Sequence, residues 1–187
     1  MNYRTGTDFR RALEDRLLAQ SNQTHVSLVR LRKLVAFDRF LARLVQGQPG
    51  AWMLKGGLAL QLRMGSHART TKDIDVLWTI PRLEMQRVLA SAASLDLGDW
   101  FAFVVRPTSD VLPGLGQGSL RFSVTARLDG RLFESFHVDV GSGDPVVEPA
   151  DVGFLNFIGK GVVGCGRAVQ VLEERLLAQA AADAALG

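Results

Sequence analysis

The chain is 187 residues long, 47% hydrophobic and 22% charged, the composition of an ordinary folded domain rather than a disordered or collagen-like chain. No apolar run reaches the ~18 residues needed to span a bilayer, and residues 1–11 are too polar and basic for a secretory signal. The net charge of +3 hides an asymmetry: residues 1–72 carry 13 of the 22 Lys and Arg but 4 of the 19 Asp and Glu, a basic half suited to attracting a polyanion. The lone cysteine, Cys165, excludes an internal disulfide, and the scattered His25, His67 and His137 argue against a zinc site, so a reduced, cytoplasmic protein is expected.

The first 48 residues read as helical. Asp8 can cap a helix over residues 9–20, with Phe9, Leu13 and Leu17 at helical spacing. A longer helix over residues 24–45 gathers Leu31, Leu34, Val35, Leu41, Leu44 and Val45 on one side and Arg32, Arg39 and Arg43 on another. Residues 46–50 are a stop and turn. A short apolar run at 51–54, a Lys55-Gly56-Gly57 turn and a helix over 58–64 follow. A strand is expected over 73–80, ended by Pro81, then a helix over 82–95 with Leu83, Val88, Leu89 and Ala92 inward. Residues 100–106 read as a strand, 107–118 as a Pro/Gly-rich loop, and 178–186 as an alanine-rich helix former.

Residues 119–140 read as two paired strands. Phe122, Val124, Ala126 and Leu128 alternate with Arg121, Ser123, Thr125 and Arg127. In the second strand Leu132, Phe136, Val138 and Val140 alternate with Phe133, Ser135, His137 and Asp139, leaving Glu134 as a misfit near the turn. A three-residue connection at 129–131 pairs 128 with 132 and keeps apolar opposite apolar, whereas a two-residue turn at Asp129-Gly130 pairs 128 with 131, sets Phe122 opposite His137 and mixes the faces. The preferred register sets Arg121 across from Asp139.

The chemistry concentrates in two phrases, Leu54-Lys55-Gly56-Gly57-Leu58-Ala59-Leu60 and Arg69-Thr70-Thr71-Lys72-Asp73-Ile74-Asp75-Val76. Asp73 and Asp75, two apart on a strand, project from one face with Cα atoms ~6.5–7 Å apart. Carboxylates that close need a cation between them, and hard oxygens suit Mg²⁺. The Gly-Gly turn ahead of a helix offers backbone N–H groups to an anion. Taken singly, Gly-Gly is common in strand-to-helix turns and Asp-x-Asp at strand ends. Order and spacing lift the combination, and Asp139 completes a triad if its strand is adjacent.

These phrases resemble the polymerase-β-like nucleotidyltransferases and, within them, the AbiEii group that includes the MenT-type toxins of type IV toxin–antitoxin systems. The flanks at residues 9–14, 40–44 and 130–144 are similar too, so the resemblance runs over roughly residues 8–160. It implies an α+β nucleotidyltransferase core over 51–160, within a single domain of 1–187 that has a helical N-terminal region over 1–48. It also implies Mg²⁺ or Mn²⁺, an NTP substrate, a tRNA acceptor and a cognate antitoxin. Gly56 and Gly57 would contact the triphosphate, Asp73 and Asp75 would carry the metal, and Asp139 would bind metal or activate the attacking hydroxyl. Arg121 would face the nucleotide, and Lys55 and Arg69 would add phosphate contacts. A hydroxyl residue in the loop before Asp73, Thr71 or Thr70, would be the site of regulatory phosphorylation.

The similarity weakens toward the end of the chain. Gln179 stands where the family's helical motif has a lysine, and residues 168–187 read as a shortened C-terminal helix. Exposed apolar surface left by such shortening could be covered by a second subunit. Two alternatives remain beside a tRNA-modifying toxin: transfer to a small molecule or protein hydroxyl, and a catalytically degenerate protein that binds nucleotide or antitoxin.

Overall fold

The computed structural model describes residues 3–48, 52–64, 71–78, 80–108 and 119–141. The C-terminal helix expected over 168–187 lies outside them, as do Arg69, Thr70 and most of the 107–118 loop.

Two helices open the chain, α1 (Gly6–Thr24) and α2 (Leu28–Gly47). The cap of α1 is Thr5 rather than Asp8. Thr5 Oγ1 accepts from Asp8 N at 3.1 Å and donates to Asp8 Oδ2 at 2.6 Å, with Asp8 in the first turn. Thr24 closes α1 instead of opening α2: His25 takes a left-handed φ of 57°, and Ser27 caps α2. Strand β1 (Trp52–Lys55) runs directly into α3 (Gly56–Met64), so Lys55 is a strand residue and the Gly-Gly pair forms the first turn of the helix.

Strand β2 (Ile74–Trp78) and helix α4 (Arg82–Ala93) come next, followed by β3 (Phe101–Pro107), β4 (Leu120–Leu128) and β5 (Arg131–Gly141). Leu83, expected to face inward from α4, is 96% exposed, and Met85 takes its place in the core.

The five strands form one mixed sheet in the order β1-β2-β5-β4-β3, with β2 and β5 parallel and the other pairs antiparallel. Its apolar face carries Trp52, Leu54, Ile74, Val76, Phe122, Val124, Val138 and Val140. Helix α2 packs here: the ring of Phe37 lies 5.0 Å edge-on from Phe136, and that of Phe40 lies 5.5 Å from Phe103. The α+β architecture expected from the resemblance is present.

The β4–β5 hairpin has the expected partners at its far end and a different turn. Arg121 pairs with Asp139 and Val124 with Phe136, but at the turn Leu128 pairs with Arg131. The connection is therefore the two residues Asp129 and Gly130, at φ 53° and 71°, as a tight hairpin turn requires. A bulge between the Ala126 and Arg127 pairs absorbs the missing residue and leaves Phe133 without a partner. Phe133 consequently turns into the core and Leu132 is 59% exposed, the reverse of the alternation read from the sequence. Phe133 stands edge-on to Phe101 at 5.2 Å. Glu134 finds Lys33 at 3.9 Å.

The basic N-terminal face is also reorganised by packing. Arg43 is fully buried, donating to both oxygens of Asp99 at 2.7 and 3.1 Å and to Phe101 O at 2.7 Å. Arg39 is 2% exposed and pairs with Asp38. Arg32 donates to Phe133 O and pairs with Glu14, and Arg10 donates to the carbonyls of Leu128, Arg131 and Leu132. Arg10, Arg32 and Arg43 thereby tie the N-terminal helices to the sheet, so part of the basic charge read from composition is taken up by packing, while Arg4, Arg11 and Arg16 stay exposed. A buried cation demands a partner, and Asp38 and Asp99 supply it.

Candidate active site

The face of the sheet opposite α2 carries one charged row across four strands. Lys55 of β1 is the register partner of Asp75 on β2, Asp75 that of Asp139 on β5, and Asp139 that of Arg121 on β4. Parity explains the row: each of these residues alternates with a core residue on its own strand and so must face the same way.

Asp73 sits one residue before β2, and the parallel pairing carries it to His137, which stands two residues before Asp139. Asp73 Oδ1 lies 3.4 Å from His137 Nδ1. Arg121 ties the group together. Its Nε and Nη2 donate to the two oxygens of Asp139, each at 2.6 Å, and Nη2 is 3.7 Å from Asp73 Oδ2.

The two glycines press on this group. Gly56 has a φ of +68°, which favours glycine, and a Cβ built there would collide with Asp75 Oδ2 and come within 2.8 Å of its Cγ. A Cβ on Gly57 would stand 3.0 Å from Thr71 Cβ. Thr71 Oγ1 in turn donates to Asp73 O at 2.9 Å, bracing the loop that delivers Asp73. The Gly-Gly turn and the Asp-x-Asp segment, 16 residues apart from Gly57 to Asp73 in sequence, thus form one packed unit.

Burial, followed by the neighbouring charges of Asp139 and Asp73, pushes the carboxyl of Asp75 above the usual range; Lys55 and Arg121 pull the other way. The hydrogen bond to Asp139 leads the causes that raise the Arg121 guanidinium above its ordinary value. Aspartates gathered on one face under a Gly-Gly helix start, with cations at both flanks, form a set of hard oxygen donors beside backbone N–H groups.

A family model described as nucleotidyl transferase AbiEii toxin, type IV TA system, matches residues 39–160. That span runs from α2 through β5 and contains Gly56, Gly57, all three aspartates and Arg121. The chain belongs to this family. No curated protein matches it. The AbiEii chain is accordingly a nucleotidyltransferase, an enzyme of a toxin–antitoxin family whose substrate is a nucleotide. Among its described residues no helix is long and apolar enough to cross a membrane.

Of the residues singled out in the sequence, Asp73, Asp75, Asp139, Arg121, Lys55, Gly56, Gly57 and Thr71 are brought together, while Arg69 and Thr70 lie outside the described residues. His137 was not among the expected site residues. Its signal was present: it precedes Asp139 by the same two positions by which Asp73 precedes Asp75. The signal becomes readable only when the two strands are known to be parallel and in register.

Proposed function

We propose that this AbiEii-family enzyme is a Mg²⁺-dependent toxin that transfers a nucleoside monophosphate from an NTP to the 3′ end of tRNA and thereby blocks translation. The observation that carries the metal and nucleotide part is the Lys55–Asp75–Asp139–Arg121 row with Asp73 beside it. The tRNA acceptor rests on the family resemblance. The buried Arg39 and Arg43 lend it no support, being committed to Asp38 and Asp99.

Asp73, Asp75 and Asp139 would hold Mg²⁺, or Mn²⁺ in its place. Their fit to a hard divalent ion lies in the oxygen donor set and in the crowding that raises the proton affinity of Asp75. Such an ion supplies charge neutralisation at the phosphates and orients them for in-line displacement. The chain's own groups do the rest. The N–H groups at the start of α3 donate to the triphosphate oxygens, kept open by glycines that leave no side chain in the way. Arg121 and Lys55 balance phosphate charge from either end of the row. The acceptor's hydroxyl oxygen forms its bond to the α-phosphorus as the bond to the bridging oxygen breaks, pyrophosphate leaves, and the hydroxyl proton passes to solvent. Both oxygens of Asp139 accept from Arg121, which makes Asp139 a poor acceptor for that proton.

Incubating the protein with each α-labelled NTP and separated pools of RNA, protein and small metabolites tests the reading. Label in the tRNA fraction, dependent on Mg²⁺ and lost in Asp73→Ala, is the expected result. Label confined to protein or small molecules would replace the acceptor, and binding without transfer to any pool would remove the activity.

A further inference from the structure

We propose that Arg121 competes for the cation site: its guanidinium holds the same carboxylate oxygens a divalent ion needs, so the ion enters only as Arg121 lets go. The inference rests on reading Asp73, Asp75 and Asp139 as the ligands, and adds how their occupancy is controlled. Arg121 engages both oxygens of Asp139 at 2.6 Å and reaches Asp73 at 3.7 Å, so one side chain bridges two of the three carboxylates. Asp139 is 7% exposed, leaving little of its surface for a second partner.

The physics follows from charge and shape. A planar guanidinium matches a carboxylate with two parallel N–H···O bonds, and an oxygen so engaged on a buried group is not open to a cation of the same sign. A divalent ion concentrates more charge and wins where enough oxygens are offered together, but it must displace the fork. Arg121 then needs another anion within reach of its flexible side chain. Nucleotide phosphate is the anion this site receives, so phosphate and metal bind with positive coupling through one residue that each biases in the same direction. Arg121 also keeps three aspartates tolerable before the ion arrives, which explains a cation in this place at all.

The test is Mn²⁺ binding without nucleotide, followed by the electron paramagnetic resonance signal of the free ion, in the parent protein and in Arg121→Met. The expected result is at least ~10-fold tighter binding in Arg121→Met, because the competitor is gone. Arg121→Lys, a point charge without a fork, should fall between the two. Equal or weaker binding in Arg121→Met overturns the competition while leaving the metal site in place. Failure of both proteins to bind Mn²⁺ removes the site and the competition together. Should Arg121→Met fail to fold, the parent protein still decides. The Arg121 Nε–H resonance, assigned by its loss in Arg121→Lys, should shift as Mg²⁺ is added, in step with saturation. A resonance that stays put while Mg²⁺ saturates overturns the proposal.

Discussion

Asp75 and Asp139 are register partners on neighbouring parallel strands, two carboxylates placed side by side by the hydrogen-bond ladder itself. Neither can move away without breaking β2–β5 pairing, so their repulsion is built into the fold and is relieved only by cations. If these carboxylates are the proposed ligands, stability and activity pull in opposite directions here.

Asp75→Asn tests this directly. The folded protein holds the Asp75 proton to higher pH than the unfolded chain does, so in this window the native state binds more protons. Stability contributed by this group is therefore present at low pH and is lost as pH rises from the ordinary carboxylate range through the raised folded value. At pH 7 without divalent ions, Asp75→Asn should melt above the parent, because the variant carries no charge to be repelled by Asp139 and Asp73. The gain should vanish at pH 3, and transfer should be abolished at every pH. A lower melting temperature for the variant at pH 7 would contradict the account.

Gly56→Ala should leave the fold largely intact and reduce turnover by about a hundredfold or more. The new Cβ runs into the Asp75 carboxylate at a positive φ, and displacing a reacting or ligating group by ~1 Å costs on this scale. Gly57→Ala meets Thr71 instead, at 3.0 Å, and its effect should be relieved in part by Thr71→Gly, which removes the Cβ it strikes. Steady-state kinetics on the two single variants and the double variant distinguish these contacts.

Thr71 joins the Gly-Gly turn to Asp73, and a phosphate on it would put ~1.5–2 negative charges beside the aspartates and in competition with nucleotide phosphate. Thr71→Glu should weaken nucleotide binding, read by calorimetry, while Thr71→Ser retains it. Unchanged nucleotide affinity in Thr71→Glu would leave Thr71 with only its local hydrogen bond to Asp73.

Arg43→Met should destabilise the protein by ~3–5 kcal/mol in urea unfolding, because it removes the hydrogen-bonded cation from the fully buried Asp99 and leaves it only Arg39, 3.8 Å away. RNA affinity of whatever fraction remains folded should not change. A large loss of RNA affinity with stability intact would restore the basic-face reading of α2.

The bulge makes a prediction of its own. Phe133→Ala should cost ~3–5 kcal/mol and Leu132→Ala less than ~1 kcal/mol, since Phe133 is packed between Phe101 and Arg32 while Leu132 faces water. The strict alternation read from the sequence requires the opposite ranking.

Local pattern carried much of the answer. The helices, the strands and the polar face of β4 follow from spacings of 3.6 and 2, which are properties of neighbouring residues. The Gly-Gly and Asp-x-Asp phrases were legible for the same reason, and Arg121 opposite Asp139 followed because one strand parity alone kept apolar against apolar. Tertiary structure decided what depends on distant partners. The parallel register that sets Asp75 beside Asp139 and brings His137 to Asp73 joins strands some sixty residues apart, with no local trace in either. The Phe133 bulge is favoured because a tight Asp129-Gly130 turn and a continuous core cannot both be met by regular pairing. Arg39 and Arg43 are buried where Asp99 meets both of them inside the fold, and the sequence alone cannot tell a cation with a buried partner from one in water.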